Sequence, residues 1–131
     1  MKILQPPGWA TPKGYANGVA ARGTLVFVGG QIGWNAQQQF ETDDFIAQTA
    51  QTLRNVHAVL AEAGAGPEHI VRLTWYLTSR EEYQAAGAGI GAAWKETLGR
   101  NFPPSTLLYI SGLVDARAKV EIEVTAFVPN A

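Results

Sequence analysis

The sequence predicts an α+β domain in which two helices pack on one face of a mixed β-sheet. Three observations predict it. Stretches beginning at Thr24, Val71, Ser105 and Val120 are rich in β-branched and aromatic residues, and those at 71–78 and 120–128 alternate cleanly in polarity, as half-buried strands do. The segments 43–63 and 79–98 instead repeat apolar residues at three- and four-residue spacing. A length of 131 residues with 47% hydrophobic content suits one domain (1–131) around a single core.

The elements follow in chain order. Residues 1–14 are rich in Pro and Gly and are expected to form an extended lead-in. "TLVFVGGQI" is a strand that Gly29 and Gly30 end or bulge, and "WNAQQQFE" is a loop with room for a short second strand. Ile46, Ala50, Leu53, Val56, Leu60 and Ala63 mark the first helix, with Thr42 or Asp43 as its N-cap and Gly64 just past its end. In "VRLTWYLT", Val71, Leu73, Trp75 and Leu77 share one face and Arg72, Thr74, Tyr76 and Thr78 the other. Ser79 opens a capping box with Glu82 for a second helix that turns Tyr83, Ile90, Trp94 and Leu98 inward and stops at Gly99. Gly87, Gly89 and Gly91 within it each cost about 1 kcal/mol relative to Ala, so close packing or room for a ligand or neighbouring subunit must offset them.

"STLLYIS" is another strand, and "VEIEVTAFV" is the last. Val120, Ile122, Val124, Ala126 and Val128 face the helices, leaving Glu121, Glu123, Thr125 and Phe127 on the opposite face with Arg72, Thr74 and Tyr76. A face of such mixed polarity suits a subunit interface containing a wet cleft better than bulk solvent.

Composition narrows the function. A net charge of −1 without a Lys/Arg block argues against nucleic acid and anionic membrane partners. No stretch reaches the roughly 18 apolar residues of a membrane helix, and the start of the chain shows no secretory pattern, so a cytoplasmic location is expected. With no cysteine, disulfides and thiolate chemistry are excluded. The histidines, His57 and His69, stand without a clustered acidic motif; no metal and no cofactor are expected. The tryptophans are scattered and read as packing residues.

Tyr15, "FVGGQI" at 27–32, "AQTAQTLRNVHAVLAEAGA" at 47–65, "VRLTWYLT" at 71–78, "FPPST" at 102–106 and "VEIE" at 120–123 resemble, in order and spacing, the RidA/YjgF/UK114 family. The resemblance implies a chorismate-mutase-like fold, a homotrimer with its sheets turned inward, and a small-molecule ligand in each intersubunit cleft. It also implies hydrolysis of 2-enamino and 2-imino acids to 2-oxo acids and ammonia, without metal or organic cofactor. In that pattern the catalytic positions fall on Glu121 and Tyr15, and Gln31 is the glutamine of the Gly-Gln pair. The arginine that grips the substrate carboxylate falls on Ser105, in Pro103-Pro104-Ser105-Thr106; the serine before the Gly-Gln pair is Gly29 and an asparagine of the second helix is Gly87.

A charge-assisted hydrogen bond contributes roughly 1.5–3 kcal/mol and a guanidinium fork makes two, so loss of that arginine implies altered specificity. Arg117 and Arg72 are the candidate substitutes. Glu121 is the candidate for moving protons, as a carboxylate in a partly dry cleft can do near neutrality. Tyr15 would add a hydroxyl and a ring wall, Ser105 and Thr106 hydrogen bonds, and Gly29, Gly30 and Gly87 space; Glu123 is expected to be structural, paired with a base across an interface. Two functions follow: a deaminase of a small enamine or imine with altered specificity, or a trimer that binds a small metabolite without turnover. Endoribonuclease activity, sometimes attached to the family, gets little support from a charge of −1 and no basic patch.

Overall fold

The computed structural model describes residues 1–130. Its strands are β1 (Lys2–Leu4), β2 (Gly18–Ala20), β3 (Thr24–Ile32), β4 (Ile70–Leu77), β5 (Ser105–Tyr109) and β6 (Val120–Val128), and its helices α1 (Phe45–Glu62), α2 (Arg80–Ala86) and α3 (Ala88–Leu98). β3, β6, β4 and β5 form one sheet in that order, antiparallel except for the parallel β4–β5 pair. Parallel neighbours need a long crossover, and α2 and α3 supply it.

The alternation in β4 and β6 is realised. Leu73, Trp75, Leu77, Val120, Ile122 and Val124 are buried, and Phe45, Leu53, Val56, Leu60, Trp94 and Leu98 pack on them from the helical layer. The opposite sheet face is uncovered within the chain and leaves Phe27 70% exposed, with Leu25 and Leu108 also open.

Several expectations are corrected. The lead-in contains β1, which pairs antiparallel with β2 in a separate two-stranded sheet. Residues 34–41 form no second strand: the Asn35 side chain accepts from the amides of Gln37 and Gln39, 2.9 and 3.1 Å, and holds the segment as a turn. The N-cap of α1 is Asp44, whose carboxylate accepts from the Ala47 amide at 2.9 Å, while Thr42 accepts from the amide of Asp44. The buried stripe of α1 is also rotated, so that Gln48, Thr49 and Thr52 are buried and Ala63 is exposed. Thr49 and Thr52 tolerate this because each hydroxyl donates to the carbonyl one turn back.

The predicted second helix is two helices, so the layer has three. Gly87 breaks it with φ 48° and ψ −123°, a conformation that residues with a Cβ avoid. The Ser79 hydroxyl accepts from the Glu82 amide as expected, but the Glu82 carboxylate turns away to Lys119 Nζ at 2.9 Å. Among the described residues no helix is long and apolar enough to cross a membrane.

Candidate functional site

β3 and β6 pair in register from Thr24↔Val128 to Val28↔Val124, and pairing resumes at Gln31↔Ile122. Gly29 and Gly30 therefore share the single residue Glu123 as their opposite number, which is a β-bulge. Such a bulge leaves main-chain groups outside the ladder. At Gly30 the absence of a side chain is required by Glu121: a Cβ there would lie 2.6 Å from the Glu121 Oε2. Glu121 itself is half-buried and makes no hydrogen bond to another described side chain or amide, so its oxygens are free to accept hydrogen bonds. Gln31, by contrast, donates from Nε2 to the Gly29 carbonyl at 3.1 Å and stiffens the bulge.

Glu123, next but one along β6, accepts a hydrogen bond of 2.8 Å from the Tyr76 hydroxyl, so its partner lies within the chain and is not a base. That bond, with some burial and the nearby carboxylate charges of Glu123 and Glu121, holds the Tyr76 phenol above its ordinary range; Arg72 pulls weakly the other way.

Tyr15 and Ser105 come together elsewhere. The Ala16 amide donates to the Pro103 carbonyl at 3.4 Å, which ties the lead-in to the start of β5. Beside that tie lies a cavity of about 740 Å³ whose wall includes Tyr15, Ser105, Leu107, Trp94 and Phe102. Ser105 and Leu107 are in register with Leu73 and Trp75, which face the helices, so the cavity opens on the helical side of the sheet. The Ser105 hydroxyl donates to the Pro103 carbonyl at 3.0 Å, which commits its proton and leaves only lone pairs for the cavity.

Glu121 pairs with Tyr76, and both project from the other face. The candidate residues thus fall into two groups on opposite faces of one sheet, Tyr15 and Ser105 at the cavity and Glu121 beside the Gly29–Gly30 bulge, while Gln31 is in register with the buried Ile122. Thr106 is in register with Thr74 and points to the open face, away from the cavity. Gly87 belongs to neither group; its role in the chain is the helix break.

Neither candidate substitute for the arginine reaches the cavity. Arg117 donates to Asp43 Oδ1 from Nε at 3.1 Å and Nη2 at 2.9 Å and lies over the Phe40 ring. Arg72 sits on the open face beside Gly29 and Glu123. The cations that do line the cavity are Lys13, Lys95 and Arg100, which sequence reasoning missed. No local pattern marks them, since they come from the lead-in, the exposed side of α3 and the turn after it. His69 is a structural residue whose Nδ1 accepts from the Gly66 amide at 2.9 Å. Among the described residues no group of three or more His, Asp or Glu is placed to hold a metal ion.

A mixed four-stranded sheet backed by helices, with a bulged strand beside a free carboxylate, defines an α+β domain of the architecture seen in YjgF-type structures. The family model described as Endoribonuclease L-PSP matches residues 9–128. A RutC family protein of Aquifex aeolicus is 30% identical over 127 residues, covering 96% of this chain and 98% of that protein. The chain belongs to the RidA/YjgF family. The crystal structure of YyfB from Yersinia pestis, described as a protein of unknown function of the conserved Rid family, superimposes with a TM-score of 0.86 at 27% identity, covering 97% of this chain and 98% of that one. The structure of Escherichia coli TdcF with bound serine gives 0.69 at 27% identity, covering 98% and 99%.

Proposed function

We propose that the protein is a hydrolytic deaminase of a small enamine or imine, acting in clefts between the subunits of a homotrimer. The observation that carries the reading is the free Glu121 carboxylate at the glycine bulge, aimed at an uncovered sheet face that also exposes Phe27, Leu25 and Leu108. An apolar face of this kind is normally covered, and a second copy set against it would bring a bulge half-site to a neighbour's cavity half-site. The serine bound to TdcF supports a cleft for a small molecule.

In that cleft the Glu121 carboxylate takes a proton from water as its oxygen bonds to the imine carbon. Glu121 returns that proton to nitrogen, giving a carbinolamine; it then takes the hydroxyl proton and delivers it to the amino nitrogen, so that the carbon–nitrogen bond breaks, ammonia leaves and the oxygen becomes the carbonyl of the product. Amides freed by the bulge are suited to hold the oxygen as charge builds on it. Tyr15 bounds the substrate from the cavity side. Ser105 stands where the family pattern carries arginine, so a carboxylate there meets a hydroxyl whose proton is already committed.

The test compares ammonia release from 2-iminopropionate, generated in situ, by the native protein, Ser105→Arg, Glu121→Gln and an arginine-bearing relative. Native protein stays near background, Ser105→Arg rises above it, and Glu121→Gln added to Ser105→Arg returns it to background with the trimer intact by light scattering. A native rate equal to the relative's overturns the altered specificity. A monomer at micromolar concentration overturns the cleft.

A further inference from the structure

The cavity beside Ser105 has a chemistry of its own. Trp94 stacks against Trp75, centroids 6.0 Å apart at 22°, and against Phe102, 6.4 Å at 11°. Its indole N–H donates to the Asn101 carbonyl at 3.1 Å, which fixes the ring. Tyr15, Ile90 and Leu107 add further apolar wall, and at Gly91 a Cβ would meet nothing within 4 Å, so α3 leaves the space open.

Lys13, Lys95 and Arg100 line the same cavity. No carboxylate lines it, and none of these cations belongs to an ion pair among the described residues. In a chain whose net charge is −1, a cluster of unpaired cations around an aromatic stack is a local reversal of sign. A volume of about 740 Å³ falls in the range of pockets that enclose ligands far larger than a three-carbon imino acid.

We propose that this cavity selects substrates with a flat aromatic side chain and an anionic carboxylate, the ring lying against Trp94 and Phe102 and the carboxylate held by Lys13, Lys95 and Arg100. The assignment rests on the deaminase reading for what is done to the substrate, but not for its binding. Lysine and arginine ammonium and guanidinium groups supply the charge-assisted donors that Ser105 does not. The aromatic preference follows from ring-on-ring packing, which a small aliphatic acid cannot make.

Isothermal titration of the full-length protein at low salt tests this with stable probes: 3-phenylpropionate, its neutral amide 3-phenylpropanamide, propionate and adenosine 5′-monophosphate. 3-Phenylpropionate binds about tenfold or more tighter than the amide or propionate, a difference of one charge-assisted contact or one buried ring. Lys95→Gln combined with Arg100→Gln abolishes the preference for acid over amide, and Gly91→Leu, which fills the cavity, weakens both. Equal binding of acid and amide overturns the role of the cations, equal binding of propionate overturns the role of the rings, and tighter binding of the nucleotide overturns the carboxylate. Retained binding of 3-phenylpropionate with no ammonia released from aromatic imino acids by the native protein or from 2-iminopropionate by Ser105→Arg removes the deaminase reading alone; hydrolysis of 2-iminopropionate by Ser105→Arg when the native protein does not bind 3-phenylpropionate removes this inference alone.

Discussion

The glycines of the α2–α3 segment are chemically identical, yet replacing them with alanine is expected to change stability in opposite directions. At Gly87 a Cβ would meet nothing within 4 Å, so sterics with neighbours contribute no penalty; the cost comes from φ 48° and ψ −123°, which an L-residue adopts only under strain of roughly 1–3 kcal/mol. At Gly91 a Cβ is also uncontacted, but the backbone is helical, so alanine gains roughly 0.5–1 kcal/mol. Gly89 falls between them: its Cβ would lie 2.5 Å from Ile46 Cδ1, the mobile end of a half-buried side chain, and that adjustment offsets the helical gain. Gly87→Ala and Gly91→Ala should therefore differ by about 1.5–4 kcal/mol, or roughly 5–15 °C in Tm for a chain of this size. Urea and thermal unfolding at one fixed protomer concentration measure it, since assembly makes stability depend on concentration. Destabilisation by Gly91→Ala would refute the reasoning, because it would mean that the cavity wall at α3 is already filled by a neighbouring subunit.

The Tyr76 phenol is held above its ordinary value chiefly by its hydrogen bond to Glu123, so Glu123→Gln should lower its ionisation midpoint, read from tyrosinate absorbance against Tyr76→Phe; an unmoved midpoint sinks the assignment. With the folded pKa raised, this bond stabilises the protein fully below about pH 10, the ordinary tyrosine value, and is lost as pH rises through the raised one. Gln48 is fully buried, donates to the Thr42 and Arg117 carbonyls and accepts from the Lys119 amide, so Gln48→Leu should cost about 2–4 kcal/mol in urea unfolding. A loss below about 1 kcal/mol would show that water replaces those bonds.

Gln48 also shows where the sequence stops being legible. A glutamine on a helix reads as solvent-facing, and the apolar spacing Ile46, Ala50, Leu53 placed the core stripe of α1 accordingly. The helix is rotated because Gln48 reaches the segment before β6 and pins it, an interaction across 69 to 71 residues that no local window contains. The alternation in β4 and β6 was legible because burial of one sheet face acts at period two wherever the strand lies. The bulge was signalled by Gly29–Gly30, but its purpose was not: Gly30 is small because Glu121, from a strand far along the chain, occupies the space.

The site divides in the same way. Resemblance singled out Tyr15, Ser105 and Glu121, and parity along the strands separates them. Ser105, on β5, is in register with Leu73, and Glu121, on β6, with Tyr76; the two strands flank β4 and the two side chains lie on opposite faces. Period two within β4 makes the separation unavoidable: Leu73 and Tyr76 are an odd number of residues apart, so their partners cannot share a side. No side-chain rotation carries a carboxylate through a hydrogen-bonded sheet. If Glu121 and the cavity act on one molecule, that molecule must lie between two copies of the chain, and every catalytic unit is then shared. Mixed oligomers of Glu121→Gln subunits with cavity-filled Gly91→Leu subunits should accordingly recover activity, measured in a background of Ser105→Arg, although neither variant alone has any. Absence of that complementation in a demonstrated mixed trimer would mean that catalysis is confined to one face of one chain, and that one of the two half-sites takes no part in it.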